Sequence, residues 1–128
     1  MTTVYKIGRG ETKQFTVTVT SNAGALVDLT NAQIVFTVRD LAGNVVFEKR
    51  STDAGGDDEQ VEIPDQHANN NAMLGKFNLK IGDVDSDIAP TARWADTWVK
   101  TGAEPPEELK VDEHAPFYVT GDEPPAFT

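Results

Sequence analysis

In the stretch from Ala25 to Asp40 (ALVDLTNAQIVFTVRD), side chains alternate with a period of two from Gln33 to Arg39, and this limits the possible folds more than any other feature of the chain. Ile34, Phe36 and Val38 fall on one side, with Gln33, Thr37 and Arg39 on the other. Successive residues of a strand point to opposite faces, so the pattern suits a half-buried β-strand and gives no helix a continuous apolar stripe. Val35 interrupts the polar set, which predicts that part of the outer face meets another group. Just before it, Asp28-Leu29-Thr30-Asn31 predicts a turn after a short strand from Ala25.

The same alternation recurs. Phe15, Val17 and Val19 alternate with threonines between Gln14 and Thr20, and Phe77, Leu79 and Ile81 alternate with Lys76, Asn78 and Lys80. Further strands are expected at Val4–Ile7, Val45–Arg50, Gln60–Pro64 and Ala92–Lys100, with a last one near Phe117–Val119. In Val45–Arg50, Val45 and Phe47 are set against Val46 and Glu48. Ser21–Gly24 predicts a turn that makes Phe15–Leu29 a hairpin or near-hairpin. Gly82–Pro90 predicts a crossing with at most one helical turn, and Thr101–Glu108 is too rich in proline for regular pairing. No segment sustains helical apolar spacing over three turns, so the pattern predicts an all-β sandwich or barrel.

The chain has 128 residues, enough for one domain and one core. The expected domain is residues 1–128, with a core over about 5–120 and a tail from 121 to 128. The predicted inner face holds Phe15, Val17, Val19, Leu29, Ile34, Phe36, Val38, Phe47, Val61, Ile63, Phe77, Leu79 and Ile81. At about 1.5–3 kcal/mol per buried side chain, this set is of the order needed to offset chain entropy without disulfides. There is no cysteine, hence no thiolate nucleophile and no zinc–thiolate site. No apolar run approaches membrane-spanning length, and the N-terminus lacks the pattern of a classical secretion signal.

The formal net charge of −10 argues against binding a phosphate backbone. Residues 1–50 carry six Lys/Arg against four Asp/Glu, and residues 51–128 carry five against seventeen; +2 and −12 sum to the total. Such asymmetry fits either solvated acidic loops or docking of the second half against a basic neighbour.

Three segments resemble the immunoglobulin-like domain of structural proteins of tailed bacterial viruses, best known at the N-terminus of baseplate upper proteins. Ile7-Gly8-Arg9-Gly10-Glu11-Thr12 is similar to the family's opening turn. Val27 to Val38 is similar to its DLTG-A-x-I-x-F-x-V stretch, with Asn31 where glycine is usual. Gly75 to Ile81 is similar to its G-x-F-x-I-x-L strand. The likeness covers roughly residues 5–82; Arg93–Trp98 is only loosely similar to the closing strand, and Gly102–Ala115 is extra.

The resemblance implies a single immunoglobulin-like antiparallel β-sandwich with an extended N-terminal arm and a proline-containing tail. It also implies a non-enzymatic virion component, made in the host cytoplasm and placed in a tail, baseplate or neck or decorating a capsid surface. Its partners would be other virion proteins in a homo- or hetero-oligomeric assembly, with no nucleic acid, membrane or cofactor. The arm (Thr2, Thr3, Val4), the tail (Pro124, Pro125, Phe127) and the tryptophans Trp94 and Trp98 are the candidate contacts. Two indoles on one strand face fill a core or an interface; if they protrude, they offer a platform to a glycan or a protein.

Other constellations lead to less. Asp83, Asp85 and Asp87 have the D-x-D-x-D spacing that opens a calcium loop, but Ile88 and Trp94 stand where glycine and glutamate are needed. An acidic connection capped by its own carboxylates is expected there, stiffened by calcium only in an adhesion-domain alternative. His67 and His114 lack metal-ligand spacing, and Ser21, Ser51 and Ser86 lie outside any nucleophile turn. A catalytic carboxylate pair would need a concave acidic pocket.

Overall fold

The computed structural model describes residues 4–21, 23–51, 61–66, 73–89, 91–102 and 105–120, without the side chains of 112–114. In chain order the elements are β1 (Tyr5–Gly8), β2 (Lys13–Thr18), β3 (Gln33–Arg39), β4 (Val45–Arg50), β5 (Val61–Glu62), β6 (Lys76–Ile81), α1 (Asp83–Ser86), β7 (Ala92–Lys100) and β8 (Glu108–Thr120). They form a five-stranded sheet, β1-β8-β7-β3-β4, and a three-stranded sheet, β2-β6-β5. Among the described residues the regular structure is thus almost wholly β, as the alternation requires, with one helical turn at the expected crossing.

The inner faces of the two sheets supply one core. Every one of the apolar residues expected inside belongs to it, with Phe15, Phe47 and Ile63 half-buried at its margin. Its centre is an aromatic cluster that period-two counting had not included in full. Tyr5 is fully buried, 5.2 Å from both Phe15 and Phe36 in edge-on arrangements. Phe117 lies 5.7 Å from Phe47 and 6.2 Å from Phe36. Edge-on packing sets the positive rim of one ring against the negative face of the next, which adds to area burial.

Four details differ from expectation. The pairing of β1 with β8 is parallel, so the larger sheet is mixed rather than wholly antiparallel. The expected hairpin between Phe15 and Leu29 is reduced to one bridge, Thr20 with Leu26, because β2 takes β6 as its partner. Val45 is exposed rather than inward, since the register shifts between Val38 and Arg39 and the alternation of β4 slips there. β8 begins at Glu108, well before Phe117, because β7 offers a paired edge along almost all of it.

The turn before β3 depends on an amide distant in sequence. Gln66 is 2% exposed, and its Oε1 accepts from the N–H groups of Leu29 (3.1 Å) and Gly75 (2.8 Å). Its Nε2 donates to the carbonyls of Pro64 (3.0 Å) and Lys76 (3.3 Å). One side chain therefore joins the DLT turn, the exit of β5 and the start of β6. Gly75 has φ +76°, and its carbonyl accepts from the Val19 N–H, so glycine suits the position on conformational grounds.

Asn31 has φ +59°, the left-handed conformation that asparagine tolerates and glycine favours. Gly102 closes against this turn: a methyl group on it would lie 2.5 Å from the Thr30 carbonyl and 2.8 Å from Asn31 Cβ. Gly102→Ala is expected to lower stability by about 1–3 kcal/mol, the usual cost of overpacking. The urea midpoint checks this; an unchanged midpoint would mean that the two segments separate freely.

Candidate functional site

The outer faces of the two sheets differ in kind. On the smaller sheet, Thr16 Oγ1 donates to Asn78 Oδ1 (2.9 Å), Asn78 Nδ2 to Glu62 Oε1 (3.1 Å), and Lys80 Nζ to Glu62 Oε2 (3.4 Å). The bond from Asn78, with help from Lys80, holds the Glu62 carboxyl below the usual value. This is a polar ladder whose groups satisfy one another.

The larger sheet presents aromatic rings. Trp94 and Trp98 lie on the outer side of β7, 37% and 44% exposed, with Tyr118 of β8 on the same side. Four residues of strand separate the indoles by about 13 Å. Trp98 stands between Val35 of β3 and Lys110 of β8, and Lys110 Nζ sits 4.8 Å from its ring centroid. Val35, the apolar interruption in the polar set of β3, is half-buried there, so the group it meets is an indole. Trp94 stands between Arg39 and Pro116.

A hollow flanks each indole. One, of about 260 Å³, is lined by Gln33, Val35, Trp98, Val99, Lys100 and Glu108. The other, of about 240 Å³, is lined by Arg39, Asp40, Leu41, Ala42, Gly43 and Trp94. Asp40 organises the second rim: its Oδ1 accepts from the N–H groups of Ala42 and Asn44, both at 2.9 Å. Those bonds, led by the one from Asn44, hold its carboxyl below the usual value.

Charges are interleaved with the rings. Register places Lys6, Arg39, Arg50, Lys100 and Lys110 on this face with Glu48, Asp96 and Glu108, five against three among the described side chains. Among the described side chains the local balance is +2, in a chain of net −10. Arg50 pairs with Glu48 at 2.6 Å and Arg39 approaches Asp96 at 3.8 Å. Among the described side chains, the acidity of the second half is therefore not concentrated on the aromatic face, although β7 and β8 both belong to that half.

The inner side of β7 holds two polar residues. Arg93 is buried and donates to the carbonyls of Ala89 (2.7 Å) and Thr91 (3.2 Å), which fixes the approach to the strand; burial pushes its guanidinium below the usual value. Thr97 is 0% exposed, lies where the register with β8 shifts, and its Oγ1 has no hydrogen-bond partner among the described residues. A buried hydroxyl without a partner costs about 1–3 kcal/mol. Thr97→Val is expected to raise stability by about 1 kcal/mol, seen as a melting temperature higher by about 3–4 °C. A lower melting temperature would show that the hydroxyl is satisfied.

The three aspartates of the D-x-D-x-D segment turn to different tasks. Asp83 accepts from the Val84 N–H at 2.9 Å. Asp85 accepts from the Gly82 N–H at 3.0 Å and forms an ion pair with Lys49. Asp87 pairs with Arg9 at 3.1 Å. Nothing brings them to one point, and among the described residues no group of three His, Cys, Asp or Glu could hold a metal ion. The hydroxyl of Ser86 is buried and donates to the Glu11 carbonyl at 2.7 Å, tying α1 to the arginine-glycine turn. Ser51 and Ser21 accept from the N–H groups of Ile34 and Ala25.

Of the candidate contacts, Val4 is exposed at the start of β1. Thr2, Thr3, Pro124, Pro125 and Phe127 lie outside the described residues, as do His67 and the side chain of His114. Tyr118 and Leu41 join the aromatic face without having been singled out in the sequence. Tyr118 stands in the apolar run Phe117-Tyr118-Val119, whose outward member looks no different from the inward ones, and Leu41 stands in a turn. No helix among the described residues is long and apolar enough to cross a membrane. Compared with family models, curated proteins and solved structures, the chain gives no match.

Proposed function

We propose that the chain is a non-enzymatic structural subunit of a tailed-phage particle, an immunoglobulin-like sandwich that binds neighbouring subunits through the outer face of its larger sheet. The fold part has support from strand order. In the lettering of immunoglobulin-like domains, β2-β6-β5 would be B-E-D and β1-β8-β7-β3-β4 would be A′-G-F-C-C′. The binding part is carried by one observation: the contrast between a self-satisfied polar ladder on one sheet and exposed Trp94, Trp98 and Tyr118 on the other. Grouped exposed aromatics are costly to hydrate and enriched where proteins meet partners.

In this account the subunit occupies the tail or baseplate, the neck or the capsid surface, after synthesis in the host cytoplasm. The test is mass spectrometry and electron microscopy of purified particles, with Trp94→Ala and Trp98→Ala variants supplied in place of the wild type. The expected result is the chain at a fixed copy number per particle and reduced incorporation of the variants. Purified particles that lack the chain would end the proposal.

The hollows beside the two indoles favour a second account, a module that binds a glycan on the same face. Stacking of a sugar ring on Trp94 would quench indole fluorescence, and a glycan array is the direct test. Lys110 lies over Trp98, so a sugar that stacks on that ring would have to displace the ammonium group.

A further inference from the structure

The exposed apolar surface of the larger sheet gathers at one end. Register sets Val45, Arg39, Trp94 and Pro116 in one row across β4, β3, β7 and β8. Val45 is exposed, as is Leu41 in the turn beside it. Tyr118 pairs with Ala92 and is therefore diagonal to Trp94, at the separation of about 7–8 Å that large side chains can bridge. A polar row of Glu48, Thr37 and Asp96 parts this group from Trp98.

β8 stops at the same end of the sheet. β3 and β8 both run antiparallel to β7, so the turn after β3 and the end of β8 lie on one side. Thr120 is fixed there: its carbonyl accepts from the Arg9 N–H (3.4 Å) and its Oγ1 donates to the Ile7 carbonyl (3.5 Å). Residues 121–128, GDEPPAFT, carry two carboxylates, two prolines and a phenylalanine. Adjacent prolines favour the polyproline form, which docks on aromatic-lined surfaces at small entropic cost. A phenylalanine is a suitable anchor for an apolar hollow such as the one of about 240 Å³ beside Trp94. Lys6, opposite Tyr118 on the same face, suits the carboxylates of Asp122 and Glu123.

We propose that residues 121–128 cross the outer face of their own molecule, with Pro124 and Pro125 on Tyr118 and Trp94 and with Phe127 at the hollow beside Leu41. Gly121 permits the change of direction that this path requires. Reach selects the indole. Trp94 pairs with Pro116, four residues back from Thr120, and so lies about 14 Å from the end of β8. The six residues 123–128 span about 19 Å in the polyproline form, enough for Trp94 and its hollow. Trp98 lies about 13 Å farther along β7, out of range. Attachment close to the site gives an effective concentration on the order of millimolar, so modest contacts suffice. The contact uses the face assigned above to neighbouring subunits without resting on that assignment. It leaves the Trp98 end open and makes the Trp94 end available only by displacement.

The full chain has no cysteine and two tryptophans, which makes the test direct. Thr128→Cys carries a nitroxide, and NMR measures its effect on the relaxation of the two indole N–H protons, with Trp98→Phe assigning them. The effect at Trp94 should be at least about fivefold that at Trp98, since about 13 Å separates the rings. Changing Pro124→Gly, Pro125→Gly and Phe127→Ala together should cut the Trp94 effect at least about threefold and leave the strand resonances unchanged. Equal effects on the two indoles, or a Trp94 effect that survives those three changes, would overturn the proposal. So would enhanced relaxation in an isotope-labelled chain without nitroxide when nitroxide-bearing chains are mixed with it, because the segment would then lie on a second copy.

Discussion

Gln66→Glu is expected to lower stability at neutral pH by about 3 kcal/mol, although it changes a single group of atoms. In the native chain both lone-pair directions of Oε1 and both hydrogens of Nε2 are used, on Leu29, Gly75, Pro64 and Lys76. Glutamate keeps the acceptor but sets an oxygen against the carbonyls of Pro64 and Lys76, and it places a charge where the native side chain is 2% exposed. Each buried group deprived of its partner costs about 1–3 kcal/mol, against a total stability of about 5–15 kcal/mol for a domain.

The pH dependence has a definite sign. Burial disfavours the ionised carboxylate, so the folded variant has its glutamate pKa raised above the unfolded value of about 4.3. The deficit relative to wild type is full above the raised pKa and shrinks as pH falls through it towards the unfolded value, because the protonated acid can donate one bond again. Urea melts of both proteins at pH 7 and pH 5 check the size and the trend. A variant as stable as wild type at pH 7 would show that the amide does not join the three segments.

The second large effect is expected where β4 meets α1. Lys49 points inward from β4, and its ammonium pairs with the Asp85 carboxylate; the two side chains are 9% and 17% exposed. Removing one partner of such a pair leaves the other charge poorly solvated, at a cost of about 3–5 kcal/mol when burial is complete. Lys49→Met should cost about 2–3 kcal/mol, at or below the lower end of that range, because Asp85 keeps its bond from Gly82 and some contact with water. Asp85→Asn should cost about 2–3 kcal/mol, since it removes the carboxylate that faces the deeper charge.

The double variant is expected to be more stable than either single one, with a coupling of at least about 1.5 kcal/mol in a double-mutant cycle. Simple additivity would mean that the pair contributes nothing as a pair. Recovery in the double variant would also show that the ion pair fixes where α1 docks more than it adds net stability.

Both predictions concern residues on which the sequence is silent. Gln66 sits in the polar run DQHANNNA, where nothing distinguishes it from the asparagines nearby. Lys49 and Asp85 are far apart in sequence, and a lysine in a strand otherwise reads as a solvated side chain. The face of β7 was legible, because four residues of strand return a side chain to the same side. Whether that side was core or surface was not legible, since Trp94 and Trp98 would suit either.

Local sequence determined that the chain forms strands, which side of most of them is apolar, and where the turns fall. Those properties depend on side chains two to four residues apart, as in Ile34, Phe36 and Val38 or Asp28 to Asn31. Only the tertiary structure decided that β1 runs parallel to β8, that an indole covers Val35 and that Lys49 finds Asp85. Each of these depends on which strand lies beside which, and backbone hydrogen bonding is nearly the same for every candidate partner. The choice is made by the fit of the whole core, which no single stretch of sequence contains.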